Sequence, residues 1–142
     1  MIDIVFDTNV LVGALLKADG PNRRAMRSVL ASPGSFRICY SSQIMAEYED
    51  VLARPVITAR GLQDEAAALL GLIKRVGTEV IPKPVYAVVY PDRDDRPFLE
   101  AAVCVGGALV TNNLEDYPFL GVTVLGPEEF LGWLETRSQD PR

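Results

Sequence analysis

The chain has 142 residues, a length that fits one domain with a hydrophobic core of its own. Hydrophobic residues make up 49% and charged residues 23%, which is ordinary for a soluble globular protein. No apolar stretch approaches the ~20 residues of a membrane helix, and the N-terminal segment MIDIVFD lacks the positive charge of a signal peptide. We therefore expect a cytoplasmic protein without membrane contact.

Histidine is absent and the formal net charge is −5. The absence of histidine excludes His-dependent triads and His-containing zinc sites, so any metal would bind oxygen ligands, which favour Mg²⁺ or Mn²⁺. An acidic chain is also not an obvious nucleic-acid binder. The cysteines, Cys39 and Cys104, lie in apolar stretches without CxxC spacing. We expect both to be buried free thiols.

Strand and helix signals alternate along the chain. The first half predicts strands at Ile2–Phe6 and Phe36–Tyr40 and helices at Val10–Lys17 and Asn22–Ala31. It also predicts a helix that Ser41 or Ser42 caps and that runs to about Leu52. The second half predicts helices at Gln63–Val76, Asp94–Val105 and Glu128–Leu134. It predicts short strands at Glu79–Ile81, Ala108–Thr111 and Val122–Gly126. We expect residues 1–136 to form one domain and residues 137–142 to form a frayed tail.

This alternation predicts an α/β fold with a mostly parallel sheet of about five strands, covered by helices on both faces. In such sheets ligands bind beyond the carboxyl ends of the strands, at the point where the strand order reverses. Two polar clusters follow predicted strands: Asp7 with Thr8 and Asn9, and Thr111 with Asn112 and Asn113.

Helical periodicity separates the acids of the third predicted helix. Its apolar stripe is Ile44, Tyr48, Val51 and Leu52. Glu47 borders this stripe, whereas Glu49 and Asp50 point away from it.

The same test places Asp95 on the core face of the helix that carries Phe98 and Ala102. Asp94 falls to one side, and Glu100 is expected to face solvent. Each acid has a simpler interpretation when taken alone: Asp7 and Asp95 as helix N-caps, and Glu47 as a partly exposed helix residue.

Taken together, these acids come from different βα junctions that converge on one crevice. Carboxylates held close together raise one another's pKa, and a divalent cation relieves this repulsion. The pattern therefore favours a magnesium-type site that binds phosphate oxygens and activates water.

Four segments resemble the PIN-domain family in order and spacing, and the resemblance covers nearly the whole chain. They are IVFDTNVLVGALL, SSQIMAEYEDVLARP, DRDDRPFLEAAVCVGGALVTNN and GVTVLGPEEFL. The likeness is strongest to the ribonuclease toxins of bacterial toxin–antitoxin pairs. It implies a three-layer α/β/α sandwich and cleavage of single-stranded RNA with Mg²⁺ or Mn²⁺. It also implies a homodimer and an antitoxin partner.

The resemblance matches the first three family acids to Asp7, Glu47 and Asp95, with Asp92 and Asp94 as neighbours that blur the third match. Asp7 and Asp95 would ligate the metal, and Glu47 would help to hold the attacking water. The resemblance also implies supporting polar positions, which are Thr8, Asn9 and Thr111.

One position departs from the family pattern. Where the family often has a further acid, this chain has Asn113, whose amide would hold a metal-bound water. Asp116 is the alternative fourth acid, and it is equally well explained as a solvated turn residue. The lost charge weakens the case for two metals.

Arginines near the acids answer the objection of the acidic net charge. Arg93 and Arg96 flank the acids and would guide the RNA phosphates. Arg23, Arg24 and Arg27 form a second group, for which an ordinary solvated face is at least as good an explanation.

Two other functions remain open. The chain could be an inactive PIN-fold binding module, which the replacement at Asn113 favours. A phosphatase of the haloacid dehalogenase type ranks low, because it needs a second Asp where this chain has Asn9.

Overall fold

The computed structural model describes residues 1–85, 90, 93–117 and 121–138. The described part of the chain contains five strands and seven α-helices. In chain order they are β1 (Ile2–Phe6), α1 (Thr8–Leu16), α2 (Pro21–Leu30), β2 (Phe36–Tyr40), α3 (Ser42–Leu52), α4 (Pro55–Thr58), α5 (Gln63–Val76), β3 (Thr78–Glu79), α6 (Arg96–Val105), β4 (Ala108–Val110), β5 (Thr123–Leu125) and α7 (Pro127–Ser138). Short 3₁₀ turns precede α6 at Arg93–Asp95 and follow β4 at Leu114–Asp116.

The five strands form one sheet in the order β3-β2-β1-β4-β5, and every neighbouring pair is parallel. The strand order reverses between β1 and β4, since the chain first moves towards β3 and then returns to β4. Parallel crossovers are right-handed, so the connections that run in opposite directions place their helices on opposite faces of the sheet. The predicted α/β/α sandwich with a parallel sheet of five strands is confirmed.

The carboxyl-terminal half of β1, at the centre of the sheet, is apolar, as expected for a strand that helices cover on both faces. Ile4, Val5 and Phe6 of β1 are fully buried, and Ile4 pairs with Ile38 of β2 and Ala108 of β4. Phe6 also meets Phe130 of α7 edge to face. This core holds the carboxyl end of β1 rigidly in place.

Local signals set most helix ends. Ser41 caps α3, because its side chain accepts a hydrogen bond from the Ile44 amide at 3.2 Å. Gly106 ends α6 in the left-handed conformation, with φ of 63°.

Several boundaries differ from the sequence prediction, most of them by one or two residues. α1 begins at Thr8, since the extended N-cap is Asp7. The short helix α4 is absent from the sequence prediction; Pro55 starts it, as proline suits a first helical turn. β3 ends at Glu79, and Ile81 is 92% exposed. α7 reaches Ser138, beyond the predicted helix end at Leu134, and residues 139–142 lie outside the described residues.

Two predictions about burial are wrong. Cys39 is buried as expected, but Cys104 is exposed because it lies on the outer side of α6. Glu100 was expected to face solvent and is only 7% exposed. Its carboxylate accepts hydrogen bonds from the Val85 amide at 2.6 Å and from Arg96 Nε at 3.0 Å, which compensates its burial.

None of the described helices is both long enough and apolar enough to cross a membrane.

Candidate functional site

The two polar clusters predicted from the sequence meet at the carboxyl edge of the sheet, between β1 and β4. Asp7 follows β1, and its amide donates to the Val110 carbonyl at 2.9 Å. Thr111 follows β4, and its amide donates to the Leu125 carbonyl at 3.0 Å. This is the position where the strand order reverses, and ligands of parallel α/β sheets bind at such positions.

Asp7 is a buried carboxylate held by three side-chain donors. It is 5% exposed, and its Oδ2 accepts hydrogen bonds from Thr111 Oγ1 at 2.8 Å, Tyr117 Oη at 3.2 Å and Asn9 Nδ2 at 3.3 Å. It occupies the N-cap position of α1 but makes no side-chain capping hydrogen bond, so the simple cap interpretation does not describe it.

The environment of Asp7 disfavours its charge. Burial raises the pKa of the Asp7 carboxyl, and the charge of Asp116 raises it further. The hydrogen bonds from Thr111, Tyr117 and the Thr8 backbone oppose this effect without cancelling it. A carboxyl whose pKa is raised by burial and by a neighbouring like charge is typical of a functional site.

Glu47 of α3 lies next to this carboxylate. It is half-buried and accepts a hydrogen bond from Thr8 Oγ1, whereas Glu49 and Asp50 of the same helix are exposed. Burial raises the pKa of Glu47, and the charges of Asp7 and Asp94 raise it further. Helical periodicity thus distinguished the three acids of α3 in the same way as the structure does.

Asp95 lies within electrostatic reach of the site. It sits at the N-cap position of α6 without a side-chain capping hydrogen bond. Burial, and then the charges of Asp7 and Asp95, raise the pKa of Tyr117, whose hydroxyl donates to Asp7. Asp94 is exposed, and Asp92, the remaining alternative for the third acid, lies outside the described residues.

Asp116 is half-buried at the end of the 3₁₀ turn Leu114–Asp116. Its charge raises the pKa of Asp7, which places it within electrostatic reach of the site. Asn113 is exposed, and its backbone N–H donates to Thr111 Oγ1 at 3.1 Å.

A chain of amides supports the carboxylates from the outside. The Asn112 amide N–H donates to Asn9 Oδ1 at 3.1 Å, and Asn112 Nδ2 donates to Asn22 Oδ1 at 2.9 Å. Asn9 in turn donates to Asp7 and to Thr111 Oγ1, the latter at 3.4 Å. The network therefore connects the start of α2 to the buried carboxylate.

Sequence reasoning gave no role to Tyr117, Asn22 or Asn112. Asn112 belongs to one of the two predicted polar clusters, so the sequence could have indicated a role for it at the site. The sequence carries no corresponding signal for Tyr117, because a tyrosine of the segment NNLEDY is as well explained by the core. Only the fold shows that this ring is 3% exposed with its hydroxyl against Asp7.

The two arginines expected to meet phosphate differ in their surroundings. Arg93 and Arg96 both line a cavity of about 590 Å³ together with Ser41, Ser42 and Glu79, and Arg93 is exposed. Arg96 is half-buried and pairs with Glu100 at 3.0 Å. Arg93 is thus the better placed of the two to meet a ligand.

The donor set suits a hard divalent cation in its chemistry. The site offers carboxylate, hydroxyl and amide oxygens. Burial and neighbouring negative charges disfavour the ionised forms of Asp7 and Glu47, and a bound cation would relieve this. Within the described ranges, however, no three histidine, cysteine or acidic side chains form a group that could hold a metal ion. A bound ion would therefore need further oxygen donors, such as water or a phosphate.

Comparisons with known proteins agree with this fold. The sequence profile of the PIN domain matches residues 3–115. A search of curated proteins finds no match. One similar solved structure is VapBC2 from Rickettsia felis, bound to a DNA fragment from the promoter: identity is 14%, coverage is 88% of this chain and 98% of the other, and the TM-score is 0.60.

A second similar structure is DNA-bound VapBC from Salmonella typhimurium, with 15% identity, coverage of 89% of this chain and 99% of the other, and a TM-score of 0.59. At such identities the likeness concerns the fold. The profile match extends over most of the chain, from β1 into the 3₁₀ turn Leu114–Asp116. This chain belongs to the PIN-domain family.

Proposed function

We propose that this chain is a metal-dependent ribonuclease that hydrolyses phosphodiester bonds in single-stranded RNA, with Mg²⁺ or Mn²⁺ as its cofactor. The observation that carries the proposal is Asp7: a buried carboxylate at the reversal point of the sheet, held by three donors and adjoined by Glu47. Among the described residues no cationic side chain forms a hydrogen bond with Asp7, so its buried charge is costly, and a ligand cation would offset that cost.

Each acid of the site has a role in this proposal. Asp7 and Asp95 would hold the ion, which supplies positive charge against the scissile phosphate and makes bound water more acidic. Glu47, oriented by Thr8, accepts a proton from the attacking water. Thr111 and Asn9 orient the carboxylate of Asp7, and Asp116 adds negative charge at the site.

The test is cleavage of a labelled single-stranded RNA with Mg²⁺ or Mn²⁺. We expect EDTA and Asp7→Asn each to abolish cleavage. Glu47→Gln should lower the rate by about 10²-fold or more, as expected for loss of a general base. Glu49→Gln is the matched control, since Glu49 lies on the same helix, is exposed and pairs with Lys74 at 3.7 Å. Cleavage that survives both EDTA and Asp7→Asn would end the proposal.

We further infer that the protein is the toxin of a toxin–antitoxin pair, acting in the cytoplasm as a homodimer. The likeness to VapBC structures and the family membership support this inference. Expression of the wild-type chain should arrest growth, and co-expression of a small protein encoded beside its gene should restore it. Asp7→Asn should not arrest growth, and light scattering should give twice the monomer mass. Growth unaffected by the wild-type chain, at expression confirmed by blotting, would contradict the toxin assignment.

A second candidate is a PIN-fold binding module without catalysis. Asn113, at the position where the family often has an acid, contributes a backbone N–H to Thr111. A melting temperature that does not change with Mg²⁺ or Mn²⁺ would favour this module. The phosphatase alternative finds no such support, because Asn9 uses its amide to donate to Asp7.

A further inference from the structure

We propose that a cavity beside the acids binds the nucleotide next to the scissile phosphate, and that this cavity prefers a base with an exocyclic amino group. We call it the flanking cavity. The residues of its lining that matter here are Ser41, Ser42, Gln43, Glu79, Arg93 and Arg96. This inference rests on the proposed function for the identity of the natural ligand, RNA. The binding of a nucleotide by itself does not depend on that function.

The flanking cavity lies at the same edge of the sheet as Asp7. Ser41 follows β2 and Glu79 ends β3, so both residues stand at the carboxyl ends of parallel strands. Asp7 follows β1, which pairs directly with β2. Neighbouring strands lie about 4.8 Å apart. The cavity therefore begins one strand away from the buried carboxylate.

Two elements line the flanking cavity and also carry acids of the proposed site. Gln43 lines the cavity, and Glu47 follows four residues later on α3, so the two side chains share one face of that helix. The 3₁₀ turn Arg93–Asp95 contributes Arg93 to the cavity and Asp95 to the proposed site. An RNA chain with its scissile phosphate at these acids would therefore place an adjacent nucleotide in the cavity.

A buried carboxylate holds the walls of the flanking cavity together. Glu100 is only 7% exposed, and its Oε2 accepts hydrogen bonds from the Val85 amide at 2.6 Å and from Arg96 Nε at 3.0 Å. The first bond attaches the segment after β3 to α6, and the second fixes the side chain of Arg96 at the cavity. Hydrogen bonds to an ionised carboxylate are stronger than those between neutral groups. The protein therefore forms this cavity without help from a ligand.

The size and the lining of the flanking cavity suit a nucleotide. Its volume is about 590 Å³, within the range of about 300–1,000 Å³ for small-molecule sites. Ile81, Pro82 and Pro84 offer apolar surface to the face of a base, and Ile81 is 92% exposed. Arg93 offers a guanidinium group to the phosphate. The lining thus matches both the apolar ring and the anionic group of a nucleotide.

Glu79 gives the flanking cavity its preference among bases. The residue is exposed and lines the cavity. An ionised carboxylate only accepts hydrogen bonds, so it suits the amino group of cytosine, adenine or guanine. Uracil has a carbonyl oxygen at the position where cytosine has its amino group. We therefore expect cytidine nucleotides to bind more tightly than uridine nucleotides.

The experiment titrates cytidine monophosphate and uridine monophosphate into isotope-labelled protein in EDTA and follows the backbone amide signals by NMR. We expect both nucleotides to shift the signals of Ser42 and Gln43. The dissociation constant should be about 3–10-fold lower for the cytidine nucleotide, the value of one hydrogen bond. The signals of Ser32 and Gly132, which line a separate groove, should not shift.

Three substitutions of exposed residues test the roles within the cavity. Glu79→Gln supplies an amide that both donates and accepts, so the two dissociation constants should come within about twofold of each other. Arg93→Ala should weaken both nucleotides about 3–10-fold without changing their ratio. Glu49→Gln is the matched control for the loss of one negative charge, because Glu49 pairs with Lys74 on the outer side of α3. This control should change neither constant more than about twofold.

The outcomes separate this proposal from the proposed function. If neither nucleotide shifts the signals of Ser42 and Gln43, or if Ser32 and Gly132 shift equally, the flanking cavity is not a nucleotide site. A cytidine preference that survives Glu79→Gln would overturn the role of Glu79. A chain that binds cytidine monophosphate as expected but cleaves no RNA keeps this site and loses the proposed activity.

Discussion

Asp7 continues directly from a strand whose last three residues are fully buried, and it keeps a carboxylate where the neighbouring chain is apolar. Three neutral donors, Thr111, Tyr117 and Asn9, hold that carboxylate through Oδ2. They orient the group but do not replace the water that its charge loses on burial, which is why the pKa of Asp7 stays raised. Asp7 is therefore better explained by ligand binding than by a contribution to the stability of the fold.

The unfavourable burial of the Asp7 charge predicts that Asp7→Asn stabilises the metal-free protein. The folded-state pKa of Asp7 lies above its ordinary value of 3.8, so the ionised form destabilises the fold. That cost is fully present above the folded-state pKa and disappears as the pH falls towards 3.8. In EDTA at pH 7 we expect Asp7→Asn to melt about 3 °C higher, a gain of roughly 1 kcal/mol.

Melting curves between pH 7 and pH 4 check the sign, since the advantage of Asp7→Asn should shrink as the pH falls. Asp50→Asn is the control, because Asp50 is exposed and its pair with Arg54 lies at the surface. A lower melting temperature for Asp7→Asn at pH 7 would contradict the prediction.

The cysteines give a second test at the scale of single residues. Burial, and then the charge of Asp3, raise the pKa of Cys39 to about 12, whereas Cys104 is exposed on α6. Because the thiolate is the reactive form, iodoacetamide at pH 8 should modify Cys104 and leave Cys39 intact in the native protein. Peptide mass spectrometry reads out both sites, and denatured protein should react at both. Equal native labelling would show that the burial of Cys39 is wrong.

At the scale of elements, the contact between α1 and α2 controls the amide network behind the site. Gly13 of α1 lies against Asn22 of α2, and a Cβ added at Gly13 would come within 2.7 Å of the Asn22 Cγ. Asn22 accepts the hydrogen bond from Asn112, whose own amide donates to Asn9. The absence of a side chain at Gly13 is thus what allows α2 to reach the loop after β4.

Gly13→Ala should therefore weaken the protein although alanine favours helices. The Asn22 side chain has to move and loses its hydrogen bond to Asn112, so we expect a loss of about 1 kcal/mol in the free energy of unfolding. Gly71→Ala is the matched control within α5, where an added Cβ meets no atom within 4 Å. That substitution should gain about 0.5–1 kcal/mol. Urea denaturation measures both, and a stabilised Gly13→Ala would exclude the contact.

Much of this element pattern is predictable from the sequence, and the exceptions have physical reasons. Hydrophobic periodicity predicted α5 with both of its ends, because neither its composition nor its flanking residues favour a different structure. It failed for α4, since proline is compatible with both the end of one helix and the start of another. It also failed for Glu100, because a partner 15 residues away, the Val85 amide, compensates its burial.

At the scale of the whole molecule, the net charge of −5 opposes RNA binding, and local positive charge has to overcome it. Arg93 lines a cavity with Ser41 and Ser42, which follow the carboxyl end of β2. Arg27 lines a groove with Ile2 and Phe36, at the amino ends of β1 and β2. Arg93 therefore lies towards the carboxyl edge of the sheet, and Arg27 lies towards its amino edge.

This difference predicts that only one of them contacts substrate. Arg93→Ala should raise the KM for a short RNA about 3–10-fold and reduce the dependence of binding on salt by about one phosphate contact. Arg27→Ala, the control with the same change of charge, should alter the KM less than about twofold. Equal effects of the two substitutions would mean that net charge, not position, governs RNA binding.

The sequence by itself determined the α/β fold, the strands at the centre of the sheet and the polar clusters at their carboxyl ends, because hydrophobic periodicity and helix caps are local properties. It also distinguished Glu47 from its neighbours on α3, since 3.6 residues per turn fix the direction of each side chain. Only the tertiary structure decided which groups touch Asp7. The hydroxyl of Tyr117 contacts Asp7 directly, whereas Asn22 and Asn112 act on it only through Asn9. These contacts join distant parts of the chain, so they depend on how helices and loops pack.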